Sequence, residues 1–236
     1  MAFFDFMRGV KNAIKKENIL YYPGCMTKFN HPKIFSNYKS LLSDLGINFR
    51  LIDELVCCGS PLLSAGYTDD FEDKKKKNLS ILKQEGITKI ITNCPHCLHI
   101  FKNQYGFRVE HISQTLRAVA HKVKPGAREE VSYHDPCLLT RRDGAVINEP
   151  RAILKQANFS VIEPALSKES TFCCGAGGGL RQINPLLAGK IGARRLGQFR
   201  TNKVVVSCPF CYAHLKECAA NSSKEIVELS ETIFDG

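Results

Sequence analysis

The sequence has no long hydrophobic segment and no recognisable export signal. Its apolar runs fall short of the roughly 20 residues that are needed to span a bilayer. The first residues, MAFFDFMRGVKNAIKKEN, lack a charged leader followed by an apolar core and a small-residue cleavage site. We therefore expect a cytoplasmic protein, in which a disulfide framework would be unusual.

A nucleic-acid-binding motif is also missing, and the 33 lysines and arginines are scattered along the chain. The formal net charge of +10 therefore favours an acidic partner, an anionic substrate or an anionic surface over nucleic acid. The 236 residues suffice for one large domain or two small ones, each with a modest core.

Cysteine, in contrast, is abundant, with 11 residues in this chain. In a cytoplasmic protein this number indicates metal or redox chemistry. Ten of the 11 follow one pattern used twice: a single cysteine, a vicinal pair, then Cys-Pro-x-Cys. The first set is Cys25, Cys57, Cys58, Cys94 and Cys97, and the second set is Cys137, Cys173, Cys174, Cys208 and Cys211. Cys218 lies outside the pattern and is predicted to be a buried or free thiol.

The segments around the cysteines repeat as well, at nearly the same offset. The matching pairs are ILYYPGC (19–25) with VSYHDPC (131–137), KIITNCPHC (89–97) with KVVVSCPFC (203–211), and VEHISQTL (109–116) with IVELSETI (226–233). Self-similarity at a fixed offset indicates internal duplication. We expect two halves of one fold that face each other about a pseudo-two-fold axis, joined at residues 122–130.

Short β-branched or aromatic runs alternate with amphipathic segments at 32–45 and 69–85. The predicted strands are ILYY, INFRLI, ITKIIT, EEVSYH, FSVIE and KVVVS. This order predicts an α/β fold in which each half has a short, mostly parallel sheet flanked by helices. The predicted units are an amphipathic helix at 1–18, a first domain at 19–121 and a second domain at 131–236.

Several cysteines fall just beyond predicted strands, where ligands gather in parallel α/β folds. In each Cys-Pro-x-Cys segment the proline suits a first helical turn, which brings backbone amides and the positive helix end near the thiolates. Gly59 and Gly175 follow the vicinal pairs and would let backbone approach a bulky inorganic group.

Five thiolates in each set exceed the four ligands that zinc almost always takes. Soft thiolates suit an iron–sulfur cluster, in which adjacent cysteines can reach different irons. From spacing alone, the interpretation as an iron–sulfur site leads, while zinc and a redox dithiol or disulfide pair stay open.

Both complete motifs, together with HDPCLLTRRDG, FCCGAGGGLR and the two Cys-Pro-x-Cys pairs, resemble the cysteine-rich CCG-domain family. That family is known from heterodisulfide reductase, and the resemblance covers nearly all of residues 18–236. It implies two non-cubane 4Fe–4S clusters, each held by the cysteines of one set. It also implies that a small-molecule disulfide lies between the clusters and receives one electron from each.

Many relatives carry a ferredoxin-like segment before the repeats, but the residues before Cys25 include no cysteine. We therefore expect a separate ferredoxin-like or flavin electron-transfer subunit and an oxidoreductase that works within a complex. Two other functions stay open. One is a pure electron-transfer subunit of a flavin-dependent lactate, glycolate or glycerol-3-phosphate dehydrogenase system, and the other is a zinc-binding structural or assembly protein.

Outside the cysteines, His96 and His134 are the candidate catalytic residues. Either could protonate a leaving thiolate or hydrogen-bond to cluster sulfur, and the alternative for each is structural support. An anionic disulfide would be bound by basic side chains, with Lys28, Arg141, Arg142 and Arg181 as candidates. The helix predicted at 1–18 would pack on its own domain, dock to a partner or allow peripheral membrane association.

Overall fold

The computed structural model describes residues 17–55, 57–142 and 146–233. Within them the chain forms two parallel sheets, one in each half, with spatial orders β1-β2-β3 and β5-β4-β6-β7. The strands are β1 (Ile19–Tyr21), β2 (Lys89–Thr92), β3 (Val109–His111), β4 (Glu129–His134), β5 (Phe159–Val161), β6 (Lys203–Val206) and β7 (Glu225–Glu228). The predicted N-terminal helix falls almost entirely on residues 1–16, which lie outside the described residues.

Helices connect the strands and confirm the predicted α/β class. They are α1 (Pro32–Asp44), α2 (Ser60–Ser64), α3 (Thr68–Gln84), α4 (Pro95–Asn103), α5 (Ile112–Ala118), α6 (Cys137–Arg141), α7 (Asn148–Gln156), α8 (Leu180–Ile183), α9 (Pro185–Leu196), α10 (Pro209–Cys218) and α11 (Leu229–Ile233). A π-helical turn spans Met26–Asn30, and 3₁₀ turns span Ala120–Lys122 and Lys168–Ser170. The predicted joint at 122–130 includes the coil before β4 and the first two residues of that strand.

One predicted strand, INFRLI at 47–52, is wrong. The segment runs beside β1 but makes a single parallel bridge, in which the Arg50 N–H donates to Ile19 and the Arg50 carbonyl accepts from Tyr21. The segment lies at the edge of the sheet, where no further strand of the described residues pairs with its other side. Arg50 and Leu51 are accordingly exposed. Its counterpart in the second half is the regular strand β5.

The contacts between the halves are reciprocal, as a two-fold axis requires. Helix α5 packs on α7, and its second-half counterpart α11 packs on α1, the counterpart of α7. In the same way α4 contacts α6, while α10 contacts the π-helical turn. The predicted face-to-face arrangement of two similar halves is therefore confirmed.

Equivalent helices in the two halves also begin with the same local structure. His111 caps α5 through its ring nitrogen, while its own backbone N–H donates to Gln114. Glu228 accepts from the backbone two residues later at the start of α11, and its N–H donates to Glu231. Both arrangements are capping boxes, which satisfy amides that a helix leaves unpaired.

The main hydrophobic core crosses the boundary between the halves. It contains Tyr21 and Ile91 from the first half together with Tyr133 and Val205 from the second. Strand β2 is buried along its whole length, as expected when helices cover both faces of a parallel sheet. In the described part of the chain, every helix is too short or too polar to cross a membrane.

Candidate metal centre

The cysteines lie at the carboxyl ends of the central strands. Cys94 follows β2 and Cys208 follows β6 by two residues each, while Cys25 and Cys137 follow β1 and β4. Loops at this edge of a parallel sheet converge on one region, which is the usual ligand position in α/β folds. The duplication therefore builds two cysteine clusters at equivalent places.

In the first set the five sulfurs form a connected group. Cys25 interacts with Cys57, which interacts with Cys58. The Sγ atoms of Cys58 and Cys97 are 3.5 Å apart, and Cys97 interacts with Cys94. All are free thiols, since a disulfide would bring two sulfurs to about 2.05 Å.

The second set repeats this connectivity. The Sγ atoms of Cys137 and Cys173 are 3.5 Å apart, and those of Cys174 and Cys211 are 3.3 Å apart. Cys173 interacts with Cys174, and Cys211 interacts with Cys208. Cys218 belongs to neither group. Its sulfur lies beside a histidine of the same helix instead, 3.7 Å from His214 Nε2.

Crowding of the thiols sets their charge. The hydrogen bond from Cys25 lowers the pKa of Cys57, while the same contact raises the pKa of Cys25. Contact with Cys58 likewise raises the pKa of Cys97, whereas a hydrogen bond from Cys97 lowers the pKa of Cys94. Without a metal, a set therefore holds some thiolates and keeps the others protonated. A cationic multi-metal group would let all five ionise, so the donor set fits such a group.

Backbone amides face the thiolates, as the motifs predict. Helices α4 and α10 begin at Pro95 and Pro209, directly after Cys94 and Cys208 in extended conformation. The backbone N–H of Cys97 is one of the groups that lower the pKa of Cys94. Free amides and the positive end of the helix both stabilise a thiolate.

Steric crowding and backbone conformation explain why glycine follows each vicinal cysteine pair. Gly59 has a φ of +89°, and a Cβ there would lie 2.7 Å from the Phe71 ring. Gly175 has a φ of +91°, and its Cβ would lie 3.0 Å from Ile191. Each glycine N–H is 3.4 Å from the sulfur of the first cysteine in its pair. Glycine is therefore required for the backbone turn and for packing on α3 or α9.

His96 lies between the two sets. Its imidazole interacts with the sulfurs of both Cys208 and Cys94, and its ring centroid is 4.7 Å from that of Phe210. Burial lowers the pKa of His96, but the two sulfur interactions outweigh it and raise the pKa to about 10. Phe210 is the second-half counterpart of His96 and packs against its ring. Because the equivalent position in the second half is a phenylalanine, His96 has no histidine counterpart where the two halves meet.

His134 has a different position and belongs to the second set alone. One of its ring nitrogens and the sulfurs of Cys174 and Cys211 all lie within 4.8 Å of one another. Burial and the nearby Arg195 cation lower the pKa of His134 to about 3, so the ring is neutral. Arg195 Nε donates to His134 Nδ1 over 3.1 Å.

Two adjoining cavities open beside the cysteines. One of about 350 Å³ is lined by Cys25, Cys58, Cys94 and Cys97 of the first set. The other, of about 580 Å³, is lined by all five cysteines of the second set. Both include His96, Phe210 and Gly177 in their walls. Volumes of this size are typical of small-molecule sites.

The candidate basic side chains have different surroundings. Lys28 pairs with Asp53 and Arg181 pairs with Glu217, which neutralises both. Arg141 lines the larger cavity and donates to the backbone carbonyls of residues 169 and 171. Arg142 lines the same cavity, and both arginines are exposed. Positive charge is therefore available on the side of the second set.

Sequence reasoning missed Arg195, Tyr22 and Gly24. Arg195 lies in an ordinary-looking helix far from any cysteine in the sequence, so no local signal identifies it. Tyr22 is the first-half counterpart of His134, and its buried hydroxyl has no hydrogen-bond partner among the described residues. The PGC segment could have identified Gly24, whose φ is +77° and whose Cβ would lie 3.1 Å from Cys97 Sγ.

The chain is similar to an iron–sulfur protein of Methanocaldococcus jannaschii, with 32% identity over 89% of this chain and 43% of that protein. It is 33% identical to one component of the dihydromethanophenazine:CoB–CoM heterodisulfide reductase of Methanosarcina barkeri, over 86% of this chain and 54% of that component. It is 32% identical to one component of the fumarate reductase (CoM/CoB) of Methanothermobacter marburgensis, over 84% of this chain and 41% of that component. The chain thus spans about half or less of these curated relatives.

The family model of the CCG cysteine-rich domain matches residues 19–102 and 131–216. These segments contain the two cysteine sets and agree with the duplicated sheets. The chain therefore belongs to the CCG cysteine-rich domain family and carries that domain twice in tandem.

Proposed function

We propose that this chain is a cytoplasmic iron–sulfur redox subunit that reduces a small-molecule disulfide within a larger electron-transfer complex. The observation that carries the proposal is that the cavities beside the two cysteine sets adjoin, with His96 and Phe210 in the walls of both. Redox centres held side by side in this way could deliver two electrons, one from each, to a single disulfide. The similarity to components of a heterodisulfide reductase and a fumarate reductase (CoM/CoB) agrees with a role in a complex.

Each cysteine set would hold one non-cubane 4Fe–4S cluster. Five sulfurs per set exceed the four cysteines that usually hold a cubane cluster, which favours a less common cluster type. When bound, the two clusters would supply electrons one at a time. The amides after the vicinal pairs and at the starts of α4 and α10 would stabilise the negative charge of the ligated sulfurs.

Disulfide reduction consumes two electrons and two protons and releases two thiols. The electrons would come from a ferredoxin-like or flavin partner subunit. His96 lies against sulfurs of both sets and lines both cavities, so it is positioned to hydrogen-bond to a departing thiolate. Arg142 and Arg141 would attract an anionic substrate to the larger cavity.

The first experiment is metal analysis of anaerobically purified protein. We expect about eight irons with matching acid-labile sulfide per chain, and negligible zinc. Cys57→Ser and Cys173→Ser should each lower iron to about half. Cys218→Ser is the matched control, since its sulfur lies outside both sets, and it should keep full iron. Stoichiometric zinc without iron would refute the redox function and favour a structural protein.

A second measurement separates the two redox functions. Anaerobic protein with full iron is mixed with reduced methyl viologen and a series of small anionic disulfides, and viologen oxidation is followed by absorbance. Turnover that depends on the disulfide would support the proposal. Full iron without turnover on any disulfide would favour the pure electron-transfer subunit.

A further inference from the structure

Arg195 is completely enclosed behind the second cysteine set. Its guanidinium donates to His134 Nδ1 over 3.1 Å, to the Leu166 carbonyl over 2.8 Å and to Gln198 Oε1 over 2.7 Å. A guanidinium has donors and no acceptor. His134 Nδ1 must therefore accept this hydrogen bond, which places the ring proton on Nε2.

The imidazole of His134 lies in a sulfur-rich environment. Nε2 is buried and has no hydrogen-bond partner among the described residues. A ring nitrogen of His134, Cys174 Sγ and Cys211 Sγ lie within 4.8 Å of one another. A protonated ring nitrogen cannot ligate a metal, but it can donate to a cysteine sulfur or to an inorganic sulfide.

The first half has a different group at the equivalent place. Tyr22 is the counterpart of His134, and its hydroxyl is buried without a partner among the described residues. It interacts most strongly with Cys97 and Cys58. Arg195 is the one arginine that is fully buried in the described part of the chain, and it donates to His134, whereas the Tyr22 hydroxyl accepts no hydrogen bond from any described residue. The two halves thus offer their sulfurs a neutral phenol and a cation-backed imidazole.

We infer that the His134–Arg195 pair raises the reduction potential of the second cluster above that of the first. This inference rests on the proposed binding of two clusters. Hydrogen bonds to sulfur and nearby positive charge stabilise the reduced, more negative form of an iron–sulfur centre. A second cluster with the higher potential would be the first to accept an electron. His134 would donate a hydrogen bond to its sulfurs, and Arg195 would act as a positioning residue that fixes the tautomer and orientation of the imidazole.

The test is an anaerobic redox titration of the full chain, followed by electron paramagnetic resonance. His134→Leu should lower the higher midpoint potential and leave the lower one unchanged. The expected size is at least a tenfold change in the reduced-to-oxidised ratio at fixed potential, which is about 59 mV for a one-electron couple. Tyr22→Phe is the matched variant in the first half and should shift only the lower midpoint.

Arg195→Met should shift the same midpoint as His134→Leu, and Arg195→Lys should shift it less because the charge is retained. Iron and sulfide are measured in every variant. Unchanged midpoints with full iron would overturn the inference, and so would loss of iron in His134→Leu, which would make His134 a ligand. Wild-type protein without clusters would instead refute the proposed function, so the two failures are distinguishable.

Discussion

At the residue scale, His96 is the side chain on which the proposed disulfide reduction should depend most. We expect His96→Phe, which copies its second-half counterpart Phe210, to keep both clusters but lower turnover at least about 100-fold. The reason is that phenylalanine fills the same space beside Cys94 and Cys208 without a hydrogen-bond donor. Steady-state disulfide reduction with reduced methyl viologen measures the effect.

The matched control for this substitution is His121→Phe. His121 is an exposed histidine in a 3₁₀ turn, so its replacement should leave turnover and iron content unchanged. If His96→Phe keeps wild-type turnover with full iron, His96 has a packing role. Loss of iron in His96→Phe, with His121→Phe intact, would mean that it supports the cluster ligands.

Side chains differ in how far the sequence identifies them. The ten cysteines share a spacing that survives in both halves, so the two sets follow from the sequence alone. His96 and His134 stand out beside ligand motifs, but their different positions between and within the sets depend on how the halves face each other. Arg195 gives no local signal, because it reaches His134 only through the packing of α9 on the second sheet.

At the element scale, the glycine after each vicinal pair is a steric requirement of the turn. We expect Gly59→Ala to destabilise the protein more than Gly66→Ala, although both have φ near +85°. At Gly66 a Cβ meets nothing within 4 Å, so alanine adds backbone strain of about 1 kcal/mol. At Gly59 the Cβ would also overlap the Phe71 ring, which adds about 1 to 3 kcal/mol.

Urea midpoints of anaerobic protein measure this difference. Iron content shows whether Cys57, in the same loop, can still bind the proposed cluster. The second half offers an independent pair, since Gly175 is crowded by Ile191 and Gly178 is open, both with positive φ. Equal losses for the crowded and open glycines would mean that backbone strain alone explains both, and that α3 and α9 shift to accommodate the methyl group.

Elements with a strong periodic pattern were predictable, whereas composition alone was misleading at residues 47–52. The segments at 32–45 and 69–85 form α1 and α3 within a residue of the predicted bounds, because one face of each is apolar. Residues 47–52 have strand-like composition but form one bridge, since pairing needs a neighbour that composition does not reveal.

At the scale of the whole molecule, a buried hydrogen bond joins the two halves. Tyr38 on α1 of the first half donates to Glu228 at the end of β7, with 2.6 Å between the oxygens. Ser230 donates to the other carboxylate oxygen through its N–H and its hydroxyl. Burial nevertheless raises the pKa of Glu228 from 4.5 to about 7. The folded protein therefore binds a proton there that the unfolded chain releases at lower pH.

The sign of the pH dependence follows from this shift. Stabilisation by protonated Glu228 is complete below pH 4.5 and is lost as the pH rises through about 7. The loss is on the order of 3 kcal/mol, since one pKa unit corresponds to about 1.4 kcal/mol. In Glu228→Gln this contribution to the decline should disappear, because the amide does not titrate and can still accept from Ser230. Urea midpoints measured anaerobically from pH 5 to 8.5 compare the two slopes.

Glu225→Gln is the control, because Glu225 lies on the same strand β7 but is exposed. It should change stability little and retain the wild-type slope. If Glu228→Gln keeps the wild-type slope as well, Glu228 is ionised in the folded protein and its three hydrogen bonds outweigh burial. The contact between the halves would then be strongest at high pH, and the pH dependence must originate in other groups.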